Sequence, residues 1–242
     1  MQQSRLAAAT KIETVKTTIT HIFFDLDHTL WDFDTNSQLA FDKIFRKDHP
    51  MVVTQHFLQH YIPINQACWR LYEIDQMTHQ ELRYNRLRQS FDAIAYEISD
   101  EQIECIAVEY LNFLPEFNHL FVDAIETLEY LKGRYKLHII TNGFAATQFK
   151  KLHHSQLTDY FETVTNSETA GAKKPNPVIF EHALKVAEAS RSESIMIGDS
   201  LSADVQGALD FGMRAIFFNP NRVPVDQGIV QIANLAELKN YF

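Results

Sequence analysis

From Leu120 onward the chain alternates short β-prone apolar runs with helix-patterned stretches, and this order narrows the possible folds more than any other feature. A helix over Val122–Lys132 is expected to close at Gly133, followed by a strand at Tyr135–Thr141 and a helix from Ala145 to Leu152. A short strand near Glu162–Thr165 then precedes a helix over Pro177–Ala189. The series ends with a strand at Ser194–Ile197, a helix at Ala203–Phe211 closed by Gly212, and a strand at Arg214–Phe218. Strands alternating with helices imply an α/β fold with a doubly wound parallel sheet, whose functional residues gather at the carboxyl ends of the strands. The unbroken apolar run Ile19–Leu26 supplies a first strand suited to burial on both faces.

Between that first strand and the alternating part lies a block of different character. From Phe33 to His119 there is no glycine, and the only prolines are Pro50, Pro63 and Pro115. Apolar residues recur there at helical spacing, as in Phe41/Ile44/Phe45, Leu82/Leu87/Phe91 and Ile103/Ile106/Tyr110/Phe113. This pattern predicts about four helices and no strand. The expected division is therefore a polar N-terminal extension at 1–18, an α/β core at 19–32 and 120–242, and an all-helical insertion at 33–119. Phe33–Asp34 and Glu116–His119 are the expected hinge linkers.

Composition removes several classes of function. Lys and Arg number 22 against 31 Asp and Glu, a formal charge of −9 that argues against a nucleic-acid polymer as partner. Arg5 and Leu6–Ala9 begin like a targeting signal, but Thr10-Lys11 cuts the apolar run short, and no stretch has the length of a membrane span. Two cysteines, Cys68 and Cys105, do not make a disulfide framework or a zinc site, and there is no N-x-[ST] sequon. Together these favour a cytoplasmic location with no membrane partner.

The residues at the expected strand ends carry the chemistry. Asp25 and Asp27 follow the first strand, and two carboxylates there are costly unless a cation or hydrogen bonds compensate them; a turn rich in Asp and Thr is the plainer reading. Thr141-Asn142-Gly143 ends the second strand and could bind an oxyanion or merely cap a helix. Lys173-Lys174-Pro175 is a stiffened loop or a solvated lysine pair, and Gly198-Asp199, with Asp204 five residues on, is a ligand pair or a helix start. Taken together and in this order, they combine a nucleophile, oxygen ligands for a hard cation and donors for a phosphate.

Two decoys can be set aside. Asp32–Ser37 opens like a calcium loop, but Ser37 stands where Gly is needed and Lys43 where Glu is needed. His56 and His60 lie one helical turn apart without a third ligand, and His153-His154 has no evident partner. Neither a P-loop nor a G-x-S-x-G elbow occurs.

With these residues in view, the chain resembles the haloacid dehalogenase-like hydrolase superfamily. Its D-x-D-x-T motif matches Asp25, Asp27 and Thr29, its strand-end Thr matches Thr141, its Lys before Pro matches Lys174, and its G-D-x-x-x-x-D matches Gly198, Asp199 and Asp204. The resemblance implies a Rossmann-like core with the helical block as a cap. It also implies an Mg²⁺ cofactor (Mn²⁺ being an acceptable alternative) held by Asp25, Asp199 and the backbone carbonyl of Asp27. Asp25 would be the nucleophile that forms an aspartyl-phosphate and Asp27 the general acid and base. Thr141, Asn142 and Lys174 would hold phosphate oxygens, and Asp204 would support Lys174 or a metal-bound water. The presence of Asp27 points to phosphate transfer and away from dehalogenation, and His28-Thr29-Leu30-Trp31 replaces the Gly-Val run typical of phosphomutases.

A narrower likeness is to cytoplasmic pyrimidine 5′-nucleotidases, on the residues Phe24–Phe33, Thr141–Phe144 and Lys173–Pro177. It implies a small phosphate monoester as the partner, with Trp31, Phe33 or Trp69 offering a flat surface to a base, unless these rings simply pack. The alternatives are a sugar or acylsugar phosphate phosphatase, and a non-catalytic phosphate-binding scaffold. The expected assembly is a monomer or homodimer.

Overall fold

The computed structural model describes residues 19–242, so the extension expected at 1–18 lies outside the described residues. The chain divides into two compact units. One runs up to Trp31 and takes in Leu120–Ala145 and Leu157–Phe242; the other comprises Asp32–His119 and Ala146–Gln156.

The first unit is built on a six-stranded sheet in which every pairing is parallel. Its strands are β1 (His21–Phe24), β2 (Lys136–Thr141), β3 (Thr163–Asn166), β4 (Ser194–Gly198), β5 (Arg214–Phe218) and β6 (Gln231–Ile232), in the spatial order β3-β2-β1-β4-β5-β6. All four residues of β1 are buried, as expected of a strand covered on both faces. Phe23, Ile140 and Met196 pack with Ile179, Phe180, Ala183, Ala208 and Phe211 in one apolar cluster on one face. The alternate positions Ile22, Phe24, Ile139 and Ile197 are also at 0% exposure and point to the other face. Each such side chain stabilises the fold by about 1.5–3 kcal/mol.

The second unit contains the four expected helices: α1 (Phe33–Asp48), α2 (Thr54–Glu73), α3 (His79–Ala93) and α4 (Asp100–Phe113). Thr78 and Ser99 open α3 and α4 with full capping boxes, which is how these boundaries are set without glycine. An aromatic cluster of Phe41, Phe45, Phe57, Tyr61, Phe91 and Tyr110 fills the centre of the bundle. Helix α5 (Ala124–Lys132) belongs to the first unit, while residues 146–156, which include all but the first residue of α6 (Ala145–His154), group with the helical unit.

Phe33 and Asp34 are not a linker. They form the first turn of α1, capped by Asp32, whose Oδ1 accepts from Thr35 N–H at 3.1 Å. Asn36, wholly buried, donates to the carbonyls of Asp32 and His119 at 2.8 and 2.9 Å and accepts from His119 N–H at 2.9 Å. The two ends of the helical segment are therefore tied together by one side chain. In the first unit Trp31 and Leu120 pair as an isolated bridge.

The remaining differences from expectation are local. The short α7 (Ser167–Ala170) follows β3 directly, and β6 with a terminal 3₁₀ helix at Leu235–Asn240 extends the sheet edge. Helix α8 spans Pro177–Val186. The expected helix at 203–211 is a π-helical turn, Leu201–Gln206, running into α9 (Gly207–Phe211). Gly212 ends it with φ of 84°, whereas Gly133 has an ordinary right-handed backbone (φ −77°) and needs no glycine.

Candidate active site

The strand order places the switch of winding direction at β1 and β4, the position at which open α/β sheets bind their ligands. Asp25 N–H donates to the Ile197 carbonyl at 2.9 Å, which continues the β1–β4 ladder by one step. Asp25 and Asp199 thus leave neighbouring strands side by side. The chain then folds into a tight turn: Leu30 and Trp31 N–H donate to the Leu26 carbonyl at 3.0 and 2.9 Å, and His28 takes a left-handed backbone (φ 62°). Asp27 is half-buried in this turn. Thr29, fully buried, donates to Asp199 Oδ1 at 3.1 Å, tying the turn to β4.

Lys174 is the centre of the site. The residue is 2% exposed, and its ammonium donates to Asp25 Oδ1 at 2.6 Å, Asp204 Oδ1 at 2.6 Å and the Ile140 carbonyl at 2.7 Å. An ammonium has three hydrogens, and all three have protein acceptors here. Asp204 is held in turn: its Oδ2 accepts from Ser200 N–H at 2.9 Å across the π-helical turn. A Cβ on Gly198 would lie 2.2 Å from that same oxygen, so glycine at 198 is what lets the carboxylate sit there. Gly207 has a similar role: a Cβ there would fall 2.8 Å from Pro175 Cβ, next to the lysine.

Among the described residues, one group of acids could hold a metal ion: Asp25, Asp199 and Asp204, each offering an oxygen within 4.8 Å of the others. Both oxygens of Asp204 are already engaged, by Lys174 and Ser200. That leaves Asp25 and Asp199 as the available side-chain ligands. Burial raises the Asp25 carboxyl well above the ordinary range even with Lys174 beside it, and burial together with the Asp204 charge pushes Asp199 up to about 8. Burial alone would lower the Lys174 ammonium, but Asp204 and Asp25 outweigh it and hold the ammonium above the usual lysine range. One buried cation facing three acids leaves negative charge uncompensated, and oxygen-only donors suit a hard divalent cation.

The other expected site residues fall into two groups. Thr141, 1% exposed at the end of β2, accepts from Gly143 N–H at 3.1 Å through its hydroxyl, at the carboxyl edge of the sheet. Asn142 and Trp31 are both buried. The Asn142 amide is turned onto the backbone of Lys174, accepting from its N–H at 2.7 Å and donating to its carbonyl at 3.0 Å. Trp31 is at 0% exposure. Trp69 lies in the helical unit, edge-on to Tyr72 at 5.5 Å.

The support around the site was not visible in the sequence. The Ile140 carbonyl carries no side-chain signal, and Ser167, which donates to the Asn142 carbonyl at 3.4 Å, sits on a helix of only four residues.

The fold and these residues define a doubly wound α/β core with buried acids and a paired lysine gathered at the carboxyl edge of its sheet. The chain belongs to the haloacid dehalogenase-like hydrolase family, whose model matches residues 19–212. It is 31% identical to the Escherichia coli protein named pyrimidine 5′-nucleotidase YjjG, over 90% of this chain and 95% of that one. It is 32% identical to the Streptococcus pneumoniae pyrimidine 5′-nucleotidase PynA, over 84% of each. Among solved structures it is similar to Bacillus subtilis YfnB, a HAD-hydrolase solved bound to magnesium, with a TM-score of 0.84 and 29% identity over 93% of this chain and 98% of that one. No helix among the described residues is long and apolar enough to cross a membrane.

Proposed function

We propose that the chain is an Mg²⁺-dependent phosphomonoesterase that acts through an aspartyl-phosphate on Asp25 and takes pyrimidine nucleoside 5′-monophosphates as substrates. The observation that carries the chemistry is the buried Lys174–Asp25 contact at 2.6 Å beside Asp199. The substrate class is supported by the two pyrimidine 5′-nucleotidases that match across most of the chain.

In this reading Asp25 and Asp199, with the Asp27 backbone carbonyl, would hold the cation. Mg²⁺ or Mn²⁺ bound there would offset the repulsion between a carboxylate and a phosphate dianion. Asp25 attacks phosphorus; its bond to phosphorus forms as the bond to the leaving oxygen breaks. Asp27 gives its proton to that oxygen, then takes one from the water that attacks phosphorus and frees Asp25. Thr141 donates a hydrogen bond to a phosphoryl oxygen. Lys174 keeps Asp25 oriented and lowers the negative charge around it, and Asp204 anchors Lys174. The helical segment 33–119 serves as the cap that selects the leaving group.

The test is phosphate release from a panel of nucleotides and sugar phosphates, with Mg²⁺ and with EDTA. Mg²⁺-dependent preference for UMP, dUMP or dTMP is expected. Preference for a sugar phosphate keeps the chemistry and discards the substrate, and silence on the whole panel favours a binding scaffold.

A further inference from the structure

We propose that Asn142 is a positioning residue for Lys174 and not a ligand of the phosphoryl group. The inference rests on the phosphatase reading above and deepens it at the same site. The Asn142 side chain meets Lys174 at two points: Oδ1 accepts from the Lys174 N–H at 2.7 Å, and Nδ2 donates to the Lys174 carbonyl at 3.0 Å. A planar amide that uses one acceptor and one donor on the same residue fixes that residue in both position and rotation, much as a neighbouring strand would. Asn142 is 7% exposed, and its own carbonyl accepts from Ser167 Oγ at 3.4 Å, so the clamp stands on a supported base.

The same short segment grips the other end of the lysine. Ile140, two residues before Asn142, accepts from Lys174 Nζ at 2.7 Å. Residues 140–142 therefore hold Lys174 by main chain and by ammonium, while Pro175 packs closely against Gly207 on the next side. The long lysine side chain has many rotamers, and these contacts fix one of them before substrate arrives. A lysine placed this way keeps Asp25 aligned for attack, and catalysis is sensitive to such alignment: a misplacement of about 1 Å costs about 100-fold in rate. A residue that bound phosphate oxygens would instead affect affinity for substrate and product.

The experiment compares Asn142→Ala and Asn142→Asp with the wild-type enzyme. It measures kcat and KM on UMP and on an aryl phosphate, the affinity for inorganic phosphate by calorimetry with Mg²⁺, and thermal melting. The expected result for Asn142→Ala is a fall in kcat of about 10- to 100-fold, with KM and phosphate affinity within about threefold of wild type. Asn142→Asp retains the acceptor for the Lys174 N–H but sets an oxygen against the Lys174 carbonyl and adds a charge that repels phosphate, so it is read by kcat alone, which is expected to fall as in the alanine variant. A loss of phosphate affinity of about tenfold or more in Asn142→Ala, with kcat kept, would overturn the proposal, as would wild-type kcat in either variant. If wild-type protein releases phosphate from nothing tested, the phosphatase reading fails on its own. Hydrogen exchange then decides the clamp: protection of segment 173–177 should fall in Asn142→Ala while β2 is unchanged, and unaltered protection at 173–177 overturns it.

Discussion

Replacing Gly198 with Ala tests how tightly the acid–lysine network is built. The new Cβ would stand 2.2 Å from Asp204 Oδ2, 2.3 Å from its Cγ and 2.6 Å from its Cβ. Ordinary carbon contacts need about 3.5 Å, so the carboxylate must retreat by more than ~1 Å. It cannot do so and keep both the 2.6 Å contact to Lys174 and the 2.9 Å bond from Ser200 N–H. Breaking a buried ion pair costs about 3–5 kcal/mol, which in a chain of this size lowers Tm by about 6–20 °C. Phosphate release should fall about 100-fold, because Lys174 loses one of its three anchors. Gly133→Ala is the matched control: nothing lies within 4 Å of its Cβ and its backbone is right-handed, so it should melt unchanged or up to about 1 kcal/mol more stable. A Gly198→Ala protein that melts within 2 °C or so of wild type and keeps full activity would show that Asp204 is free to move and refute the network as drawn.

Other outcomes follow from the same geometry. Asn36→Ala removes three buried hydrogen bonds that join Asp32 to His119, and should cost about 2–4 kcal/mol in chemical denaturation; a loss under about 1 kcal/mol would mean the segment ends are held elsewhere. His138, buried against His21 with ring nitrogens 3.0 Å apart, has its imidazole lowered to about 4 by burial first and by His21 next. The unfolded chain therefore takes up protons below about 6.5 while the native state does not, so this stability is full above about 6.5 and is lost as pH falls toward about 4, by at most ~3 kcal/mol. His138→Leu should flatten that acid slope, and an unchanged slope would discount the pair. Mg²⁺ at about 100 times its Kd should stabilise the wild type by about 2.7 kcal/mol and Asp199→Asn far less; an equal gain in both proteins would place the cation elsewhere.

The sheet was legible because β1, β4 and β5 each carry three or more consecutive apolar residues and strand-like runs alternate with helical ones, and the helical block because apolar residues recur at helical spacing without glycine. Asp25 and Asp27 stood out because carboxylates just past a buried strand are costly without compensation, whereas Lys174, in the loop before α8, stood out only through the family motif. What escaped was decided by backbone contacts between distant segments. Asn142 looks like any strand-end amide until Lys174, 32 residues on, is brought against it. Trp31 looks available until the fold buries it. The extra width of the π-helical turn at 201–206 has no periodic signature, and the two-residue β6 is too short to have a pattern.

The central claim is that Asp25 carries the phosphoryl group, and rapid quench followed by mass spectrometry of the protein turning over UMP tests it most directly. The account predicts a phosphoryl adduct on the peptide containing Asp25 when Mg²⁺ is present. It predicts none with EDTA and none, with no phosphate release, in Asp25→Asn. Turnover by Asp25→Asn, or an adduct mapped to another residue, would contradict it.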